Sequence, residues 1–178
     1  MNPENESAMA QFISFLGSGL GGKDLLGGKG FYLDRRVKQG YPVPPGFTIT
    51  TEAFREWKQK KGDLPLSLEQ QIREAILELE KRCNHRFNDE QSPLFVSVRS
   101  GAPQSMPGML ETILNVGSTN QSIAALARLT GNAEFAYRTY RTFMEQYIKT
   151  ENSVPGITHL TFNFDEEAKE VKFPHFLN

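Results

Sequence analysis

A single cysteine, Cys83, rules out an internal disulfide framework and makes a reducing compartment, the cytoplasm, the expected setting. No apolar run approaches the roughly 18 residues that a membrane-crossing helix needs, so no such helix is expected. An excess of one charge is also missing. The 20 Lys and Arg face 21 Asp and Glu, leaving a formal charge of -1. That balance gives no electrostatic case for a nucleic-acid partner or an anionic membrane. The opening "MNPENESAMA" has neither the basic start nor the apolar core of a secretory signal, and none is expected. Histidine is scarce. His85, His159 and His175 have no metal-ligand spacing and are expected to be surface or satisfied structural residues. No internal repeat and no low-complexity segment is present.

The 178 residues, 38% of them hydrophobic, suit one globular domain with a real core, plus at most a small appendage. After the polar leader, "QFISFLGSGLGG" at 11–22 is a short apolar run that dissolves into glycine. Leu25, Leu26, Phe31, Tyr32 and Val37 then recur at roughly helical spacing up to Gly40, which suits a helix stop. "YPVPPG" at 41–46 is turn or extended chain. "FTIT" at 47–50 reads as a strand, and Thr50 or Thr51 can cap a helix carrying Phe54 and Trp57. The clearest helix spans 67–83. Ser67 and Gln70 have capping-box spacing, and Leu68, Ile72, Ala75, Ile76, Leu79 and Cys83 form one apolar face. "PLFVSVRSG" at 93–101 reads as a strand with Leu94, Val96 and Val98 on one face and Phe95, Ser97 and Arg99 on the other. A loop leads to a second strand, "TILNVG". Gly131-Asn132 should end one helix and cap the next, which buries Ala136, Tyr140, Phe143 and Tyr147. The pattern loosens from Ile148, and "THLTFNF" at 158–164 alternates again. The expectation is an α+β fold in which "FTIT", "LFVSVR" and "TILNV" share one sheet, with the 67–83 helix beside it and the last two strands flanking a loop at 100–111.

Glycine patterns carry the candidate chemistry. Gly17, Gly19 and Gly22 match G-x-G-x-x-G, but the acidic residue that should follow about 20 positions later is absent, because 40–46 is "GYPVPPG". Gly17, Gly22 and Lys23 approach a P-loop, yet Asp24 stands where a magnesium-binding hydroxyl belongs. A flexible glycine-rich loop is the expected reading of 17–22. Lys29 differs because Gly28 and Gly30 flank it. Glycine lets backbone approach a ligand closely, and a lysine there can project as a point charge for phosphate. An exposed lysine near a helix start is the competing reading. Arg99 ends an apolar strand, where its planar fork suits either a phosphate or a structural ion pair. The carboxylates Asp34, Glu52 and Glu111 have no paired spacing that suits metal ligands and are expected to be solvated.

Taken together, "LLGGKGFYLDRRVKQGYPVPPGFTIT", "VSVRSGAPQSMPGMLETILNVG" and "LTGNAEFAYRTYRTFMEQY" resemble the N-terminal nucleotide-binding domain of the pyruvate, phosphate dikinase family. The resemblance runs from about Gly21 to Tyr147. Related phosphoenolpyruvate synthases share the Val-Arg-Ser core but usually carry an acidic stretch where "APQSMPGM" stands here. The resemblance implies the N-terminal half of an ATP-grasp fold with a helical extension, whose lysine and arginine reach the phosphates of ATP. Those roles fall on Lys29 and Arg99. The loop from Ser100 to Leu110 would cover the phosphates, which brings Gly101, Ser105, Met106 and Gly108 into the nucleotide site. Leu110 departs from the family, which usually has methionine there.

The resemblance also shows what this sequence does not contain. The family's second ATP-grasp half, with its acidic magnesium ligands, has no counterpart. Neither does the domain whose Thr-Ser-His motif accepts phosphate, nor the barrel that handles pyruvate. Three organisational segments are expected: 1–20, a polar leader and glycine-rich loop; 21–147, the dikinase-like half-domain; and 148–178, a divergent tail. Lysine and arginine alone bind a nucleotide but do not complete phosphoryl transfer. The expected function is therefore an ATP-binding half-site without catalytic competence of its own. It is either an enzyme fragment, half of a dikinase ATP site, or a stand-alone, non-enzymatic module that senses adenine nucleotide or docks onto a separate chain supplying the other half. A relic with structural interactions only fits the retained Lys29, Arg99 and loop less well.

Overall fold

The computed structural model describes residues 11–60, 66–100 and 112–152. They form two compact units, one made of 11–60 with 66–83 and the other of 84–100 with 112–152. The architecture is α+β throughout. The alternating "THLTFNF" segment lies outside the described residues.

In the first unit, strand β1 (Ile13–Phe15) pairs antiparallel with β2 (Phe47–Ile49), placing Ile13 opposite Ile49 and Phe15 opposite Phe47. Between them runs helix α1 (Lys23–Lys38), and α2 (Thr51–Gln59) and α3 (Leu66–Cys83) follow. The expectation of one shared sheet is corrected here. "FTI" takes its partner from the apolar run before the glycines, and among the described residues it makes no ladder with either later strand. Phe12, Ala53 and Leu68 are buried together, with Ile72 packed against them. Each large side chain so buried contributes about 1.5–3 kcal/mol. The Phe12 amide donates to Gln71 Oε1 at 2.8 Å, tying the strand to α3.

The apolar face expected on α3 holds. Leu68, Ala75 and Leu79 are buried, and Ile72, Ile76 and Cys83 are half-buried. Its capping box does not. The helix is already running at Leu66, so Ser67 is inside the first turn, and the Gln70 amide donates to Glu74 instead. Thr50 takes the N-cap position of α2 without a side-chain cap bond; its hydroxyl donates instead to the Gln11 carbonyl at 3.3 Å. Helix α1 stops at Gly40 as the sequence indicates. Gly40 has φ 80°, its amide donates to Val37 O, and the Tyr41 amide donates to Arg36 O. This Schellman pattern favours glycine because it requires left-handed backbone.

In the second unit, β3 (Val96–Arg99) and β4 (Thr112–Val116) form an antiparallel pair that flanks the 100–111 segment. The register slips between Val96 and Val98, where β4 carries an extra residue and Asn115 adopts φ 58°. This bulge is tied to helix α5 (Ala133–Asn152). Asn115 Nδ2 donates to Thr139 O at 3.3 Å, and the Leu114 amide donates to Gln146 Oε1 at 2.7 Å. Leu94 is buried, but Val98, which the alternation places on the same face, is 50% exposed. Helix α4 (Asn120–Thr130) opens on a capping box in which Thr119 and Ser122 bond reciprocally. It closes on left-handed Gly131. Asn132 then caps α5 by accepting from the Phe135 amide at 2.9 Å, as read from the sequence. The buried seam of α5 is Ala136, Tyr140 and Met144. Phe143 and Tyr147, expected in that seam, lie half-buried on its flank with ring centroids 5.8 Å apart. The helix continues to Asn152, past the point where the sequence pattern loosens.

Candidate functional site

The glycine-rich turn after β1 is anchored from within. Gly17, Gly19 and Gly21 all take positive φ, at 88°, 71° and 86°. Backbone of this kind turns N–H groups to one side and forms a concave nest for an anion. Here the anion is a side chain. Asp34 Oδ1 accepts from the Gly17 amide at 2.8 Å and the Gly19 amide at 3.2 Å. Asp34 is only 4% exposed, which corrects the expectation that it is solvated. Two amides that a phosphate-binding reading of this loop would need are already engaged. The glycine motifs themselves do not point to this, because the carboxylate comes from the inner face of α1, five residues beyond Lys29.

Helix α1 is not continuous. Gly27 has φ 67° and ψ 173°, a break between two helical stretches. Lys29 therefore falls in the first turn of the second stretch, where unpaired N–H groups and the helix dipole favour negative charge. The side chain of Lys29 is exposed. The flanking glycines divide the labour differently from the sequence reading. A Cβ on Gly30 would stand 2.7 Å from Thr48 Oγ1 and 3.0 Å from its Cγ2. Gly30 thus serves close packing of α1 on β2, rather than approach to a ligand. The repeating buried positions Leu26, Gly30 and Asp34 form the inner face. Lys29 and Arg36, seven residues apart on a helix, share an exposed stripe with Tyr32.

Arg99 is the last residue of β3, opposite Thr112, and is exposed. Among the described residues neither Lys29 nor Arg99 makes an ion pair, whereas Arg55, Lys60, Arg73, Arg82, Arg138 and Arg141 each pair with a glutamate three or four residues away. Lys29 belongs to the first unit and Arg99 to the second. Gly101, Ser105, Met106 and Gly108 lie outside the described residues, as does Glu111. Glu52 bonds Arg55. His85 Nδ1 lies 2.6 Å from Ser92 Oγ, an exposed local contact, and the other two histidines are outside the described residues. Among the described residues no group of three His, Cys, Asp or Glu could hold a metal ion. No helix among the described residues is long and apolar enough to cross a membrane.

Residues 59–151 match the family model described as "Pyruvate phosphate dikinase, AMP/ATP-binding domain", just over half of the chain. Pyruvate, phosphate dikinase of Rhizobium meliloti is 39% identical over 172 residues, covering 94% of this chain and 19% of that protein. The Clostridium symbiosum enzyme of the same name is 43% identical over 154 residues, covering 86% of this chain and 17% of its own length. A chloroplastic pyruvate, phosphate dikinase of Flaveria pringlei is 43% identical over 150 residues, covering 84% and 15%. The chain spans less than a fifth of the length of these curated relatives.

Proposed function

Because the chain belongs to the family of the pyruvate phosphate dikinase AMP/ATP-binding domain, we propose that it is the first half of an ATP-grasp site, with Lys29 and Arg99 holding the nucleotide phosphates. Residues 21–147 form this half, and Gly101, Ser105, Met106 and Gly108 belong to a loop that covers the phosphates. The observation that carries the reading is the position of Lys29. A cation in the first turn of a helical stretch opposes the dipole by about 0.3–1 kcal/mol. Lys29 has no acidic partner among the described residues to offset this. A phosphate group would remove the conflict, since it is attracted to the ammonium and the helix start together. Arg99 adds a planar fork with directional donors for phosphate oxygens.

Phosphoryl transfer requires metal-bridged phosphates and a positioned nucleophile as well as cations. This chain supplies the cations. On its own it binds ATP, in the range of about 0.1–10 mM, and does not transfer phosphate to pyruvate or inorganic phosphate. Magnesium and the acceptor machinery belong to other segments of the family's full-length enzymes. A nucleotide-sensing module without catalysis would use the same two cations. Calorimetric titration with ATP, run beside an assay for phosphate transfer, tests the proposal. Saturable binding without turnover supports it. Turnover by this chain alone, or no binding up to about 20 mM, contradicts it. Adding a chain that carries the second half separates the two uses: restored turnover identifies half an enzyme.

A further inference from the structure

We propose that Asp34 is a positioning residue for the nucleotide site, acting as an internal anion that splints the glycine-rich loop across the break in α1. The inference rests on the reading of Lys29 as a phosphate-holding residue. Lys29 sits two residues beyond the break at Gly27. A lysine so close to a break is held only as well as the second helical stretch is held. The loop touches α1 on both sides of the break. Before it, Gly21 packs against Leu25, whose Cδ2 lies 2.5 Å from where a Gly21 Cβ would stand. After it, Gly17 packs against Val37, whose Cγ1 lies 2.6 Å from the corresponding point. The polar fastening is Asp34, which accepts from Gly17 and Gly19 through one oxygen at 2.8 and 3.2 Å.

These contacts differ in how much they specify. The glycine packing is apolar and tolerates sliding. The two bonds to a buried carboxylate are directional and charge-assisted, so they fix the second stretch in register with the loop. Asp34 lies five residues beyond Lys29 on that stretch, on the buried side, while Lys29 is exposed. Asp34 therefore acts through the helix and does not touch the nucleotide. Its carboxylate occupies the nest that a phosphate would otherwise enter, which leaves the Lys29 side as the phosphate-facing one.

The test compares Asp34→Ala, Asp34→Asn, Lys29→Ala and the double variant Lys29→Ala/Asp34→Ala, with ATP as the titrant. Amide exchange of Gly17 and Gly19 is followed by NMR. Trp57 fluorescence confirms that each variant is folded at the assay temperature. Asp34→Ala should release the two glycine amides to exchange at least about 10-fold faster and weaken ATP binding about 3- to 10-fold. Asp34→Asn keeps an acceptor oxygen and should recover most of both effects; it also carries the test if the alanine variant is unfolded. The double variant should bind no more weakly than Lys29→Ala, because Asp34 acts only through Lys29. Fully additive losses would mean general structural damage and overturn the proposal. So would released glycine amides with unchanged ATP affinity. Unchanged affinity in Lys29→Ala would instead remove the nucleotide-site reading itself, and this proposal with it.

Discussion

Replacing Gly30 by alanine tests whether α1 is fixed by close approach to β2. Helix propensity alone favours the change, since alanine in a helix interior gains about 0.8–1.0 kcal/mol over glycine. The structure opposes it. The new Cβ would lie 2.7 Å from Thr48 Oγ1, 3.0 Å from Cγ2 and 3.4 Å from Cβ. Thr48 is β-branched and paired with Ser14 in the β1–β2 ladder, so its side chain cannot swing clear without disturbing the strand. Overpacking of this kind costs about 1–3 kcal/mol, and the net effect is a loss of about 0.5–2 kcal/mol. In a Thr48→Ala background the two closest atoms are gone, and the same Gly30→Ala change should stabilise by about 0.5–1 kcal/mol. Urea unfolding followed by Trp57 fluorescence is the assay. Trp57 is the chain's one tryptophan and sits on α2 in the same unit. Stabilisation by Gly30→Ala in both backgrounds would refute the close-packing argument.

Two further predictions concern the second unit. Thr119→Ala removes both the α4 capping bond and the contact to Asn88; it should cost about 1 kcal/mol in urea unfolding read by far-ultraviolet circular dichroism, and no change would mean that the cap is redundant. Asp89 is held below its ordinary value of 3.8, chiefly by the backbone amides of Ser92 and Gln91. Its folded pKa is depressed, so its contribution is present above 3.8 and is lost as pH falls through the lower folded value. The carboxyl carbon of Asp89 should therefore titrate below 3.8 by NMR, and a midpoint at or above that value would contradict the loop geometry.

How far the sequence could be read depended on the range of the interactions. Local signals were legible. The α3 face follows from periodicity, Gly40 and Gly131 from the left-handed backbone that helix ends favour, and Asn132 from its capping oxygen. Partners distant in sequence were not. A three-residue strand such as "FTI" does not name its mate, and the mate was the apolar run 32 to 36 positions upstream, so one expected sheet became two pairs. Val98 shares the alternation of Leu94 and Val96 yet stays half-exposed. The β4 bulge at Asn115 interrupts a strand whose residue pattern does not mark it. Asp34 was the consequential miss. Within α1 it looks like any polar helix residue, and only folding brings the glycine amides to it. A buried-face position occupied by aspartate, in phase with Leu26 and Gly30, was the available clue. The proposed site rests mainly on the motifs around Lys29 and Arg99; the exposed position of Lys29 near a helix start matches the competing reading made from the sequence, while the lack of ion pairs at both residues among the described residues had no local signal.

The most direct test of the central claim is the ATP affinity of the intact chain compared with Lys29→Ala, measured by titration at fixed, low ionic strength so that screening is held constant. The side chain of Lys29 is exposed, so its removal should leave the unfolding curve within about 0.5 kcal/mol. ATP binding should weaken about 5- to 10-fold, corresponding to about 1–1.4 kcal/mol, with adenosine binding unaltered because it carries no phosphate. Equal ATP affinity for the two proteins would contradict the assignment of Lys29 as a phosphate-holding residue.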